Sequence, residues 1–266
     1  MAIEIINGRQ IGVSRRGEGV PLLLLHCALA HRGALAPLMN HLGAMAFTAI
    51  DLPGHGQSEY DQSTDIQVQA IETTIALLED ADGPSHLFGH SFGATVALRV
   101  AIDRPDLVRS VALYEPVYFS LLAHSNPQAY ETEASAAGAF SRAAEQGDWP
   151  NASRAFLSRW SSESFDDLSK AQQSYILRTI PLILASEPSI SSPESGEEVL
   201  SRLQGLRLPL VLLEGRNSPP VISAINAVIA ERALNVERRI IDGASHMGPI
   251  SHPGEVAAVL NEFFIE

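Results

Sequence analysis

Cysteine is almost absent from this chain, with one residue, Cys27, in 266. No disulfide can form within it, and no zinc site can be built from thiolates. Basic residues are scarce as well: 18 Lys and Arg stand against 31 Asp and Glu, for a net charge of −13. A surface of that sign repels phosphate backbones and anionic lipid, so neither nucleic acid nor a membrane is expected as a partner. Long hydrophobic runs are missing. The densest, PLLLLHCALA, falls far short of a bilayer-spanning helix and reads as a buried strand. The opening stretch MAIEIINGRQ shows no basic segment followed by an apolar one. No signal peptide is therefore expected, and a cytoplasmic location is the default. Repeats, low-complexity tracts, a dinucleotide fingerprint and a His-Glu-x-x-His helix are also lacking, so neither a cofactor nor a metal is expected.

What is present is an ordinary globular composition, 45% apolar and 18% charged. The length suits one large domain, or a core domain carrying an insertion. Asn7-Gly8 between IEII and QIGVSR reads as a hairpin with a two-residue turn. VPLLLLH at 20–26 is continuously apolar, as in a strand buried on both faces. Helix is expected at 34–43, 65–80 and 92–105, and strand at 46–51, 85–90 and 108–116. The rhythm then changes. Residues 117–205 show no buried strand, hold both tryptophans, and suggest short amphipathic helices at 128–146, 150–161 and 167–180. Alternation resumes with strand at 206–215, helix at 219–233, strand at 236–242 and helix at 253–265. This implies an α/β fold, a mostly parallel sheet with helices on both faces. The core would comprise residues 1–116 and 206–266, with a helical cap inserted at 117–205.

The sharpest local signal is LFGHSFGATVAL at 87–98, where Ser91 lies between Gly89 and Gly93. A strand precedes it and a helix follows. In that context Gly-x-Ser-x-Gly puts a hydroxyl on a tight strand-to-helix turn at the sheet's carboxyl edge. The backbone N–H of Phe92 then opens the helix and can face a developing oxyanion. A serine hydroxyl attacks only when a base takes its proton. The base is expected late in the chain, after the last strand, and IIDGASHMGPI supplies His246 there. His252, just before the last helix, reads as a surface or capping residue.

At this point the chain resembles the α/β-hydrolase fold family, in its cap-bearing form with a serine nucleophile. LLLLHCALAHRGA (22–34), FTAIDLPGHGQSE (47–59), LFGHSFGATVAL (87–98) and IIDGASHMGPI (240–250) carry the resemblance, in the family's order. His55, within DLPGHGQS, reads as structural. Two departures stand out. Where the family has His-Gly after the third strand, this chain has His26-Cys27, so the second oxyanion donor falls to the N–H of Ala28, with Leu29 beside it. Where the family often carries the triad's acid, in LLEGRNSPPVI, Ser218 stands instead. Some members carry the acid one strand earlier, which here is Glu115 in VALYEPVYF. Glu214 is its rival, and Asp242 a further carboxylate near His246 in sequence.

The resemblance thus implies a serine hydrolase of a small-to-medium carboxylic ester or lactone. Ser91, His246 and Glu115 would form the triad, and Phe92 and Ala28 the oxyanion hole. His26, Cys27, Leu29, His90, Phe119 and Trp160 are expected around a small-molecule substrate. Two alternatives stay open: a carbon–carbon bond hydrolase of ring-cleavage diketones, and a non-catalytic ligand receptor on the same fold. The sequence also leaves a homodimer open.

Overall fold

The computed structural model describes residues 2–265. Strands β1 (Ala2–Ile6) and β2 (Arg9–Arg16) form the hairpin that Asn7-Gly8 implies, and both turn residues have positive φ, 48° and 74°. The other strands are β3 (Val20–Leu25), β4 (Met45–Ile50), β5 (Ser85–His90), β6 (Val108–Tyr114), β7 (Leu210–Gly215) and β8 (Val236–Ile241). They form one sheet in the order β1-β2-β4-β3-β5-β6-β7-β8. The pairs β1–β2 and β2–β4 are antiparallel, and the rest are parallel.

Helices α1 (Ala36–His41), α2 (Ile66–Glu79) and α3 (Phe92–Asp103) precede β6. Between β6 and β7 come α4 (Leu122–Ser125), α5 (Pro127–Glu145), α6 (Trp149–Trp160), α7 (Lys170–Thr179), α8 (Pro181–Ile190) and α9 (Pro193–Leu203). Then follow α10 (Pro220–Arg232), α11 (Gly248–Ser251) and α12 (Pro253–Ile265).

The continuous apolar runs have a simple cause. Along each central strand alternate residues enter opposite cores. Leu23, Leu25, Leu87, Val111, Leu113 and Leu212 join one, with α2, α3, α9 and α10. Leu22, Leu24, Phe88, Ala112, Tyr114 and Leu213 join the other, with α1 and α12. With helices on both faces, neither side of the strand can be polar.

The stretch from β6 to β7 does not all stand apart from the sheet. Val117, Tyr118, Leu121 and Leu122 at its start, and Val199, Leu200 and Leu203 in α9, are part of the main core. A separate small core of Phe140, Ala144, Ala152 and Ile180 joins α5 and α6 to the start of α8. Tyr175 of α7 ties these helices to the sheet edge: its hydroxyl donates to the Ala30 carbonyl at 2.6 Å and accepts from the Gly56 N–H at 3.0 Å. Among the described residues no helix is long and apolar enough to cross a membrane.

Candidate active site

Parallel neighbours β5, β6, β7 and β8 end side by side, so the residues just past them meet at one edge of the sheet. Ser91 follows β5 with φ 56° and ψ −116° and leads directly into α3. A side chain on either flanking glycine would collide with backbone. A Cβ at Gly89 would lie 2.4 Å from the Gly93 carbonyl, and one at Gly93 2.4 Å from the Leu25 carbonyl. Glu115 follows β6 with φ 53°, and Leu29, after β3, has φ 60°. Apart from the hairpin's Asn7, these three are the non-glycine residues with positive φ among those described. Backbone strain of this sort, costing on the order of 1–3 kcal/mol per residue, persists where the surroundings hold it.

Three side chains from three loops form a continuous hydrogen-bonded line. Ser91 Oγ lies 2.9 Å from His246 Nε2, and His246 Nδ1 lies 2.7 Å from Glu115 Oε2. All three are buried: Glu115 fully, His246 to 5% exposure and Ser91 to 6%. With the carboxylate accepting from Nδ1–H, Nε2 is left as an acceptor for the serine proton. The carboxylate is itself held from the other side. Its Oε1 accepts from the Gly215 N–H at 2.7 Å and from the Ser218 hydroxyl. The loop bearing His246 is fixed too. Tyr114 donates to the Ser245 carbonyl at 2.8 Å, and a Cβ on Gly248 would sit 1.9 Å from the Tyr114 hydroxyl oxygen. Such an arrangement can relay a proton from the serine to the imidazole and hold the resulting cation against a carboxylate.

The amides of Phe92, the first residue of α3, and of Ala28 have no chain acceptor among the described residues. Both residues line the cavity that Ser91 and His246 border, which is where oxyanion donors must be.

The rival carboxylates are engaged elsewhere. Glu214 accepts from Asn226 at 2.7 Å and pairs with Arg238 at 3.3 Å, while Asp242 is exposed and pairs with Arg216. His252 bonds to Ser251 at 2.8 Å near the surface.

Two cavities flank the serine. One, of about 260 Å³, lies under α5, α6 and α8 and is bordered by Phe119, Phe140, Phe156 and Trp160. The other, of about 450 Å³, reaches Cys27, Leu29, His31, Tyr175 and Met247. Trp160 borders both and stands 4.6 Å from the His246 ring.

Two residues expected around the substrate lie elsewhere. His26 is fully buried, accepting from the Leu52 N–H at 2.9 Å and donating to the Cys27 carbonyl at 2.7 Å. It pins the end of β3 to the loop after β4. Burial, and then the neighbouring His55, push its pKa well below the ordinary range. His90 is also fully buried and donates from Nε2 to the His246 carbonyl at 2.7 Å. Burial lowers its pKa to about 3. His26 stands just past β3 and His90 is the last residue of β5, and sequence alone does not say into which face each ring turns. His55 is structural, as expected. It accepts from the Leu29 N–H at 3.2 Å, donates to the Pro53 carbonyl at 3.0 Å, and is lowered by burial to about 4. The Cys27 thiol borders the second cavity at 4% exposure, and burial pushes it up to about 12.

Residues 22–259 match the model of the Alpha/beta hydrolase family. A curated relative, the pimeloyl-[acyl-carrier protein] methyl ester esterase of Xanthomonas campestris pv. campestris, is 28% identical over 256 residues, 93% of this chain and 96% of its own. Among solved structures, an alpha/beta hydrolase from Sphaerobacter thermophilus DSM 20745 superposes with a TM-score of 0.72 at 23% identity, covering 97% of both chains. Est816, described as an N-acyl homoserine lactone degrading enzyme, gives a TM-score of 0.74 at 20% identity, over 98% of this chain and 99% of its own. At those identities the two structures speak for the fold alone.

Proposed function

The chain belongs to the alpha/beta hydrolase family of enzymes, and on that premise we propose that it is a serine hydrolase of small-to-medium carboxylic esters or lactones. The observation that carries this reading is the unbroken line Ser91–His246–Glu115. Ser91 Oγ attacks the ester carbonyl carbon as His246 Nε2 takes its proton. The carbonyl oxygen becomes an anion held by the Phe92 and Ala28 amides. The C–O bond then breaks, and His246 gives its proton to the departing alkoxide. In a lactone the alkoxide stays tethered to the acyl group. Water, deprotonated by His246, attacks the acyl-serine, and the acid leaves as Ser91 recovers its proton. Throughout, Glu115 orients the imidazole and balances its transient charge.

The printed activity of a similar protein, a methyl ester esterase, supports the ester reading over the diketone. The receptor alternative drew its force from the missing acid at Ser218. Glu115, bonded to His246, supports catalysis over that alternative. We take the enzyme to act in the cytoplasm on a small molecule, without a cofactor.

The test is a panel of alkyl esters, lactones and a ring-cleavage diketone, assayed with the purified protein and Ser91→Ala. Hydrolysis of an ester or lactone that falls by at least about 10⁴ in the variant is the expected result. Turnover of the diketone alone would replace this reading with carbon–carbon cleavage. Turnover surviving in Ser91→Ala would overturn it.

A further inference from the structure

The smaller cavity beside Ser91 has an apolar lining interrupted by a charged pair. Glu133 of α5 and Arg159 of α6 both border it, and Arg159 Nη2 donates to the two oxygens of Glu133 at 2.9 and 2.7 Å. The pair is largely shielded, with side-chain exposures of 21% for Arg159 and 9% for Glu133. One nitrogen does all the bonding. Among the described residues, no chain acceptor meets Arg159 Nε or Nη1. Neither nitrogen is among the buried polar atoms left without a partner, so both reach open space. A guanidinium has five N–H donors, and here three of them are uncommitted.

The position of this cation matters. Its central carbon lies 5.0 Å from the Trp160 ring centre, and that ring lies 4.6 Å from the His246 ring. These spacings put the guanidinium within reach of a medium-length chain held at the reacting serine. The stacked indole restrains the guanidinium, as a cation held over a ring face is restrained. Charge narrows the ligand further. Glu133 already balances Arg159, and Glu187, bordering the same cavity, is raised above the ordinary carboxyl range by burial and then by Glu145. An added carboxylate would be desolvated beside two acidic groups. A neutral oxygen would find free donors without that cost.

We propose that this cavity receives the acyl part of the substrate and that Arg159 anchors a neutral oxygen acceptor, a ketone, ether or hydroxyl, carried along that acyl chain. The assignment of the acyl part rests on the hydrolase reading above. Esters of oxygenated acids are then better substrates than their plain counterparts. The reaction that supplies them must be one that leaves an oxygen within the chain.

The test uses unreactive probes, so that it does not depend on turnover: N-methyl octanamide, its analogue with a ketone in mid-chain, and its analogue ending in a carboxylate. Calorimetry measures each against the wild type, Arg159→Met and Arg159→Lys. The ketone is expected to bind about tenfold tighter than the plain amide, the span of one charge-assisted hydrogen bond. That ratio should fall to near one in Arg159→Met, which keeps much of the apolar stem, and return in part in Arg159→Lys. A purely structural role for Arg159 would weaken both amides together and leave the ratio unchanged, which overturns the proposal. So would a ratio near one in the wild type, tightest binding of the carboxylate, or no binding of any probe. Failure of the hydrolase reading shows separately, as discrimination between the amides without ester turnover.

Discussion

The hydroxyl of Ser218 bonds to the carboxylate of Glu115 across 103 residues of sequence. Ser218 stands where many relatives by resemblance carry the acid. Here that loop holds the carboxylate of Glu115, the residue just past β6. Removing the Ser218 hydroxyl should therefore loosen Glu115 without removing it. Ser218→Ala is expected to lower kcat about tenfold with KM little changed, whereas Glu115→Gln should cost roughly 10³–10⁴, as loss of the carboxylate leaves the imidazole wrongly oriented. Steady-state kinetics on one ester, with all three proteins, reads this order. Equal losses would mean that Ser218 does more than hold Glu115.

Buried histidines make the fold sensitive to acid. His55 titrates at about 4 and His90 at about 3, against 6.5 when unfolded, because burial disfavours the charged ring. Between those values the unfolded chain binds more protons, so stability rises with pH. The contribution is full above pH 6.5 and is lost as pH falls toward each folded value. A tenfold difference in proton affinity is worth about 1.4 kcal/mol, so unfolding free energy should drop on the order of 2 kcal/mol per histidine between pH 7 and 5. Urea titrations at the two pH values check this, and His55→Asn should show the smaller drop. An equal drop would assign the acid sensitivity elsewhere.

Arg32 and Asp51 form a buried ion pair behind the site, with side-chain exposures of 7% and 1%. Asp51 also accepts from the Arg32 and Gln57 amides, at 2.8 and 2.9 Å, which shapes the loop carrying His55. Arg32→Met leaves the carboxylate without its cation and should destabilise the protein by about 3–5 kcal/mol. Thermal unfolding measures it. A loss under about 1 kcal/mol would contradict the importance given to the pair.

The single thiol should be inert. Cys27 is buried and its pKa is about 12, so almost no thiolate exists at neutral pH. Iodoacetamide at pH 8 is expected to leave the native protein unlabelled and to label it fully in urea. Fast native labelling would show the thiol to be accessible.

Much of this was legible in the sequence because local chemistry and tertiary role coincide. Ser91 lies in a turn that only small neighbours permit, and the strand and helix around it are plain in the pattern. Glu115 came into view through the resemblance, some of whose members carry the acid one strand earlier, and its carboxylate lies 2.7 Å from His246 Nδ1. The region before β7 was less so. α8, with the sequence PLILASEPSI, holds an internal proline and no clear apolar stripe, and α9 follows it through a serine-rich break. Neither reads as a helix until Val199, Leu200 and Leu203 are seen to complete the main core. The supporting contacts were invisible for a different reason. Tyr114 on Ser245, Tyr175 on Ala30, and Arg159 on Glu133 each join elements whose proximity only the folded chain creates.

The most direct test of the central claim is the intact mass of the protein after exposure to a fluorophosphonate, beside Ser91→Ala and Glu115→Gln. Such a reagent bonds to a serine only when a base activates it. The account predicts a single adduct on the wild type, none on Ser91→Ala, and slowed labelling of Glu115→Gln. A wild-type protein that stays unlabelled, or a Ser91→Ala protein that still takes the adduct, would contradict it.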